Sequence, residues 1–408
     1  MSLTFLKLIN VLLRVGGVGS KFIILTLMSK YFDVNVFGNY GLITSLITIL
    51  IFALGLDFYN FSIRDILKTE SKQDVVNKVI STLLLYAVIY LVFCCIAYLM
   101  FGNVSYLKPY VSLVIGLGIT EHISQEIYRL LIGFKKVLFA NILLFIRTMG
   151  WSIIIVFYYF NNIEITIGDI LSLWLTANVL TIITVIIYTV FKNYNNILNG
   201  KIVVDWIKTG LKVCAVFLIA TISLKMMEYA NRFIVDLFMG EKMAGIFLFY
   251  SNVSMLITVY VNTTVISFEL PELIASSDSP RVFKLLKKFK KSLLTHVIIS
   301  AIFILLIIKP LLIWQHKVEF EAYAPLLFFM LIGVGLMNYS LIYHFKLYIF
   351  HKDQSLLKVM VIAAFLSLTL TVIFTYFFGI YGTASAFLIS CILLFFMRYN
   401  EAKKMSYD

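Results

Sequence analysis

The sequence predicts an all-α integral membrane protein with about twelve transmembrane helices, arranged as two six-helix bundles related by a pseudo-two-fold axis along the membrane normal. Three observations carry this. The 408 residues are 61% hydrophobic and only 13% charged, with a mean hydropathy of +0.97, far from the composition of a soluble globular protein. Twelve apolar stretches each approach the ~20 residues that cross a bilayer core. Basic residues recur in the first and seventh stretches at a constant offset of 211, which points to a duplicated half.

The stretches run near 5–28, 38–62, 79–101, 110–132, 138–160, 166–191, 211–239, 244–268, 293–313, 323–345, 357–378 and 380–397. Arg14 and Lys21 break any signal-peptide core in the first, so it reads as a retained helix. Gly379 and Gly382 supply the turn between the last two. Two longer polar connections, about 192–210 and 269–292, each carry an amphipathic piece. Ile202, Val203, Trp206 and Ile207 form one; Phe283, Leu285, Leu286 and Phe289 form the other; both suit a helix lying on the membrane surface. The first falls at the chain midpoint and divides an N-terminal bundle (1–195), a linker (196–210) and a C-terminal bundle (211–408).

The net charge of +13 is an orientation signal. With the N-terminus inside, 23 of the 34 Lys and Arg fall in cytoplasmic loops and tails, including Arg281, Lys284, Lys287, Lys288, Lys290 and Lys291, and only 5 fall outside. That bias places both termini in the cytoplasm and removes the case for a nucleic-acid partner. Cys94, Cys95, Cys214 and Cys391 all sit in apolar runs and suggest neither disulfides nor a metal.

Six basic residues are intramembrane: Arg14, Lys21, Arg129, Arg147, Lys225 and Arg232. A charge there is costly and faces a partner or a water-filled cavity. Arg14 and Lys21 are seven apart, as are Lys225 and Arg232, so each pair lies along one helix face. The match extends to Lys21-Phe22-Ile23-Ile24 against Arg232-Phe233-Ile234-Val235, and to Gly38-Asn39-Tyr40 against Gly245-Ile246-Phe247. Both copies start from the cytoplasmic side, the parallel-repeat arrangement in which a substrate binds between halves. The competing reading is structural pairing, for which Glu228 and Asp236 stand within four residues of Arg232. The first helix has no acid.

The fourth stretch carries Glu121, His122, Gln125, Glu126 and Arg129, with Glu121, Gln125 and Arg129 spaced as a polar stripe. It reads either as a proton or sodium relay or vestibule, or as an internally paired stripe that locks the helix to a neighbour. Arg147 in the fifth stretch joins the cavity candidates, whereas Asp57 and Asp169 at helix ends suit snorkelling and capping. Phosphate-binding loops, HExxH and nucleophile-elbow motifs are absent, and no outer loop could form a catalytic domain. Transport is favoured over catalysis, with no cofactor and no metal. An ion-coupled exporter of small molecules, a membrane polysaccharide polymerase or glycosyltransferase, and a non-transporting scaffold are the rivals.

Several segments resemble the O-antigen and capsule repeat-unit flippases (Wzx type) of the multidrug/oligosaccharidyl-lipid/polysaccharide exporter superfamily. These are Phe37-Gly38-Asn39-Tyr40-Gly41 through Gly55-Leu56-Asp57-Phe58-Tyr59 and Arg64-Asp65-Ile66, Glu121-His122-Ile123 through Glu126-Ile127-Tyr128-Arg129-Leu130, Arg147 to Trp151, and Asn231-Arg232-Phe233-Ile234, where Asp is commoner than Asn at the first position. The resemblance implies two six-helix bundles forming a V in the bacterial inner membrane, and an undecaprenyl-diphosphate-linked oligosaccharide as cargo. It also implies polymerase and chain-length partners of the polysaccharide pathway and a proton or sodium counter-ion. The diphosphate would be held by Arg14, Lys21, Arg147, Lys225 and Arg232, with Glu121, Gln125, Glu126, Arg129 and Glu228 as the coupling or polar set.

Overall fold

The computed structural model describes residues 3–191, 200–277 and 279–405, without the side chains of residues 3–12, 14, 15, 18 and 21. The expected bundle boundary at 195 and the start of the linker lie outside the described residues. The described chain is helical throughout: α1 (Leu3–Tyr31), α2 (Val34–Gly55), α3 (Tyr59–Lys68), α4 (Lys72–Phe101), α5 (Val111–Gly133), α6 (Val137–Phe145), α7 (Trp151–Phe160), α8 (Ile167–Phe191), α9 (Val204–Met239), α10 (Glu241–Val261), α11 (Ser267–Ala275), α12 (Arg281–Gln315), α13 (Val318–Ala322), α14 (Leu326–Tyr339), α15 (Leu341–Ile349) and α16 (Asp353–Lys404). Among the described residues, nine helical spans are long and apolar enough to cross a membrane. The last is two crossings, because Gly379 (φ 60°, ψ −144°) breaks α16 in a conformation only glycine adopts readily. Adding α1 and the charge-bearing α5 restores the expected twelve, and the chain is a multi-pass membrane protein. Gly382 completes that turn, since a Cβ there would collide with the Phe374 carbonyl.

The chain packs as two compact units: Met1–Met28 with Ile43–Leu218, and Ser29–Leu42 with Ile219–Asp408. In the first, α4 turns Leu91 and Leu99 outward, 69% and 73% exposed, an apolar face that only lipid can cover. Ser71 caps α4 by accepting from the Asp74 amide. Thr166 and Asp169 form a reciprocal capping box at the start of α8, the role expected of Asp169.

Four expectations are corrected. The second stretch ends at Gly55; Leu56 and Asp57 turn through left-handed backbone (φ 47° and 50°), and α3 follows as a separate helix. Asp57 is therefore buried rather than snorkelling. The piece 202–207 is not a surface helix. Lys201 and Val203 donate their amides to Asn77 and Ser81 of α4, and Trp206 begins α9, where it packs edge-on against Phe58 and donates Nε1–H to Asp65 at 2.8 Å. Asp65 also holds Lys78 at 2.6 Å; burial raises its pKa, but these two partners outweigh it and leave the carboxyl below its ordinary value. The piece 283–289 is likewise the start of the 35-residue α12, with Leu285, Leu286 and Phe289 packed inward. Finally Arg398, counted among the cytoplasmic tail cations, is 1% exposed.

In the second unit the first turns of α2 pack on α10. Gly38 and Gly245, the pair that the sequence repeat aligns, lie against each other: a Cβ on Gly245 would meet the Gly38 amide at 3.1 Å and the Val34 carbonyl at 2.5 Å. Asn39 donates to Glu241 at 2.9 Å beside them. Phe37 packs edge-on against Phe320 of α13, which in turn lies on Phe249.

Candidate functional site

In the first unit the polar residues of α5 are drawn into two linked groups. Glu121 sits ten residues into a 23-residue helix, near mid-membrane. Its carboxylate meets Arg147 at 3.5 Å and accepts from Trp174 Nε1 of α8 at 3.2 Å. Arg147 reaches it from a π-helical turn, Ile146–Gly150, between α6 and α7. Such turns widen the helix by one residue, re-aim a side chain and recur at functional sites. α1 seats its backbone on this turn. Gly17 lies so close to Thr148 that a Cβ would meet its hydroxyl at 2.6 Å, and Ser20 donates to the Thr148 carbonyl. Arg14 and Lys21 belong to the same helix, but their side chains lie outside the described residues.

The second group is one turn further along α5. Glu126 accepts from Arg129 at 2.5 Å and from Tyr86 at 3.2 Å, and Arg129 stacks over Tyr59 at 3.6 Å. His122 shares a 2.6 Å hydrogen bond with Tyr90 and has Glu126 3.8 Å from its other nitrogen. Gly55 makes room for that ring, as a Cβ there would come 2.8 Å from His122 Nε2. The stripe is thus split between two partners, Glu121 to a neighbouring helix and Arg129 to its own, while Gln125 is half-buried outside these bonds. The ring donors Tyr86, Tyr90 and Trp174 have no sequence signal that marks them out among 24 tyrosines and 4 tryptophans.

In the second unit α9 carries the repeat pair. Lys225 donates to Glu228 at 2.7 Å. Arg232 donates to Ser251 at 3.2 Å and Asn252 at 2.8 Å on α10 and stacks on Tyr229. Asn231, where the resembling family favours Asp, accepts from Thr371 of α16 instead. Arg398 lies deeper in the same unit and donates to Ser340 at 2.6 Å and to the Met360 sulfur. Its signal was available: it follows an almost unbroken apolar run from Ala384, one residue past the end assigned to the last span. Among the described residues, the three buried carboxylates, Asp57, Glu121 and Glu126, all belong to the first unit, beside one buried arginine, Arg147. The buried charges of the second unit are two arginines, Arg232 and Arg398.

No family model matches the sequence, and no curated protein matches it either. Solved structures do match the fold. One is an inward-facing multidrug resistance MATE family transporter of the MOP superfamily (TM-score 0.69, 12% identity, 99% of this chain and 95% of that one). Another is the lipid II flippase MurJ in an inward closed conformation (0.68, 13%, 98% and 87%). A third is a MOP superfamily transporter from Pyrococcus furiosus, described by a binding pocket of reverse polarity (0.65, 10%, 98% and 96%). The chain therefore has the all-helical fold shared by these multidrug transporters and the lipid flippase.

Proposed function

We propose that this protein is a flippase that carries an undecaprenyl-diphosphate-linked oligosaccharide from the cytoplasmic to the periplasmic leaflet of the bacterial inner membrane by alternating access. The observation that carries the reading is the basic excess inside the second unit: among the described residues Arg232, Arg398 and Lys225 stand against Glu228, and a buried guanidinium gives a diphosphate a bidentate partner at low dielectric. Lys225, Arg147, Arg14 and Lys21 complete the cationic set in this proposal. The carboxylates Glu121 and Glu126, held by switchable partners, give a proton or sodium ion a place to couple in the first unit, and Glu228 offers a further one in the second. The MurJ likeness supports a lipid-linked cargo; the multidrug likenesses, together with three buried carboxylates, support an ion-coupled exporter of small cations as the second reading.

Complementation of a strain lacking its repeat-unit flippase, scored by surface polysaccharide, separates the two. The flippase reading expects restoration by the wild type and loss in Arg14→Ala, Lys21→Ala and Arg232→Gln at unchanged membrane levels. Failure of the wild type across several repeat-unit types, with gain of resistance to cationic dyes, would establish the exporter instead.

A further inference from the structure

The cytoplasmic ends of α12, α15 and α16 line an open pocket of about 370 Å³ that the proposed transport path does not use, within the size range of small-molecule sites. Four lysines line it, Lys287 and Lys290 from α12, Lys346 from α15 and Lys403 from α16, together with Tyr343 and Tyr399. Helical spacing explains the convergence. Phe283, Leu286, Lys287 and Lys290 occupy one face of α12 at i, i+3, i+4 and i+7, while Tyr343 and Tyr399 meet edge-on at 5.3 Å and join the other two walls. Lys346 is steadied by the Ala402 carbonyl at 2.9 Å. Among the described residues no carboxylate lines the pocket; the neighbouring Glu401 is engaged by Lys404. The floor is apolar, with Leu286 and Ile342 buried, and Phe283 stands 63% exposed at the edge.

We propose that this pocket binds the headgroup of an anionic glycerophospholipid, with the lysines on its phosphate and the acyl chains running from the apolar floor into the bilayer. Four lysines converging on one pocket, with no acid lining it among the described residues, call for an anion. The apolar floor and exposed Phe283 call for an amphiphile rather than a free phosphate, and basic pockets between membrane helices on the cytoplasmic side suit acidic lipid headgroups. The inference is independent of the cargo assigned above.

The test measures dissociation constants of the purified full chain in neutral detergent for three probes: short-chain phosphatidylglycerol, short-chain phosphatidylcholine and inorganic phosphate. Two triple variants lose equal charge. Lys287→Gln/Lys290→Gln/Lys403→Gln removes three of the pocket's four lysines, and Lys284→Gln/Lys288→Gln/Lys291→Gln changes a face of α12 roughly 100° away. The expected result is preference for phosphatidylglycerol over both other probes and at least a tenfold weakening in the pocket variant, with less than threefold in the control. Equal weakening in both variants would reduce the effect to general surface charge and overturn the site. Equal binding of inorganic phosphate, or of phosphatidylcholine, would overturn the lipid assignment.

Discussion

Among the described residues, the first unit buries three carboxylates and one arginine and the second buries two arginines. The bonding differs in kind as well as sign. Glu121 and Arg147 form an ion pair between helices, and Glu126 and Arg129 form one within a helix. Arg232 and Arg398 instead donate to hydroxyl, amide and thioether groups. Neutral partners satisfy the donors of a guanidinium without cancelling its charge, and the Glu228 carboxylate, held by Lys225, acts electrostatically on both arginines and offsets part of it. In the first unit Glu121 and Glu126 each have a basic partner, Arg147 and Arg129.

Breaking the buried pair of the first unit should have the largest effect. Arg147→Ala leaves Glu121 buried without its ion partner and should cost about 3–5 kcal/mol, whereas the double variant Arg147→Met/Glu121→Leu should regain most of that stability. Thermal unfolding in detergent reads both, and a double variant no better than the single would show that the pair is not a unit. The double variant should still fail in complementation if Glu121 also couples an ion.

The seam of glycines tests what the two halves share. Gly38→Val and Gly245→Val each push a side chain into facing backbone and should destabilise by about 1–3 kcal/mol each. Because the two positions touch, the double variant should depart from additivity. Strict additivity in the same unfolding measurement would mean that they do not meet.

The smallest effect belongs to the first unit's surface pair. Asp65→Asn, which loosens Lys78, should cost less than about 1 kcal/mol. Its folded pKa lies below the ordinary carboxylate value, so its contribution is present above about pH 4 and is lost as pH falls through the folded pKa. A melting-temperature series from pH 7 to pH 3 should therefore show wild type and Asp65→Asn converging only at the acid end. Convergence at neutral pH would remove the pair's role.

The spans were legible because a bilayer imposes a length and a composition that twelve stretches meet, and the Gly379 turn was legible because only glycine fits it. The repeat was legible through Gly38 and Gly245, and the structure brings those two residues into contact. What the sequence withheld was pairing between helices. Nothing local to Arg147 indicates Glu121, twenty-six residues earlier, because a π turn decides the direction of the side chain. Arg398 looked exposed because it lies one residue past the assigned end of the last span, while packing by Ser340 and Met360 encloses it. The amphipathic pieces at 202–207 and 283–289 misled because part of each, Trp206 in one and Leu285, Leu286 and Phe289 in the other, covers a neighbouring helix, while Ile202, Val203 and Phe283 stay exposed.

The central claim is that the second unit's buried arginines bind an anionic headgroup while the first unit's carboxylates do not. Its most direct test is the affinity of purified wild type, Arg232→Gln and Glu121→Gln for undecaprenyl diphosphate, with undecaprenol as the uncharged control. The account predicts at least tenfold weaker binding in Arg232→Gln, about 1.4 kcal/mol, less than threefold change in Glu121→Gln, and little affinity for undecaprenol. Equal affinity for the diphosphate and the alcohol, or a larger loss in Glu121→Gln than in Arg232→Gln, would contradict it.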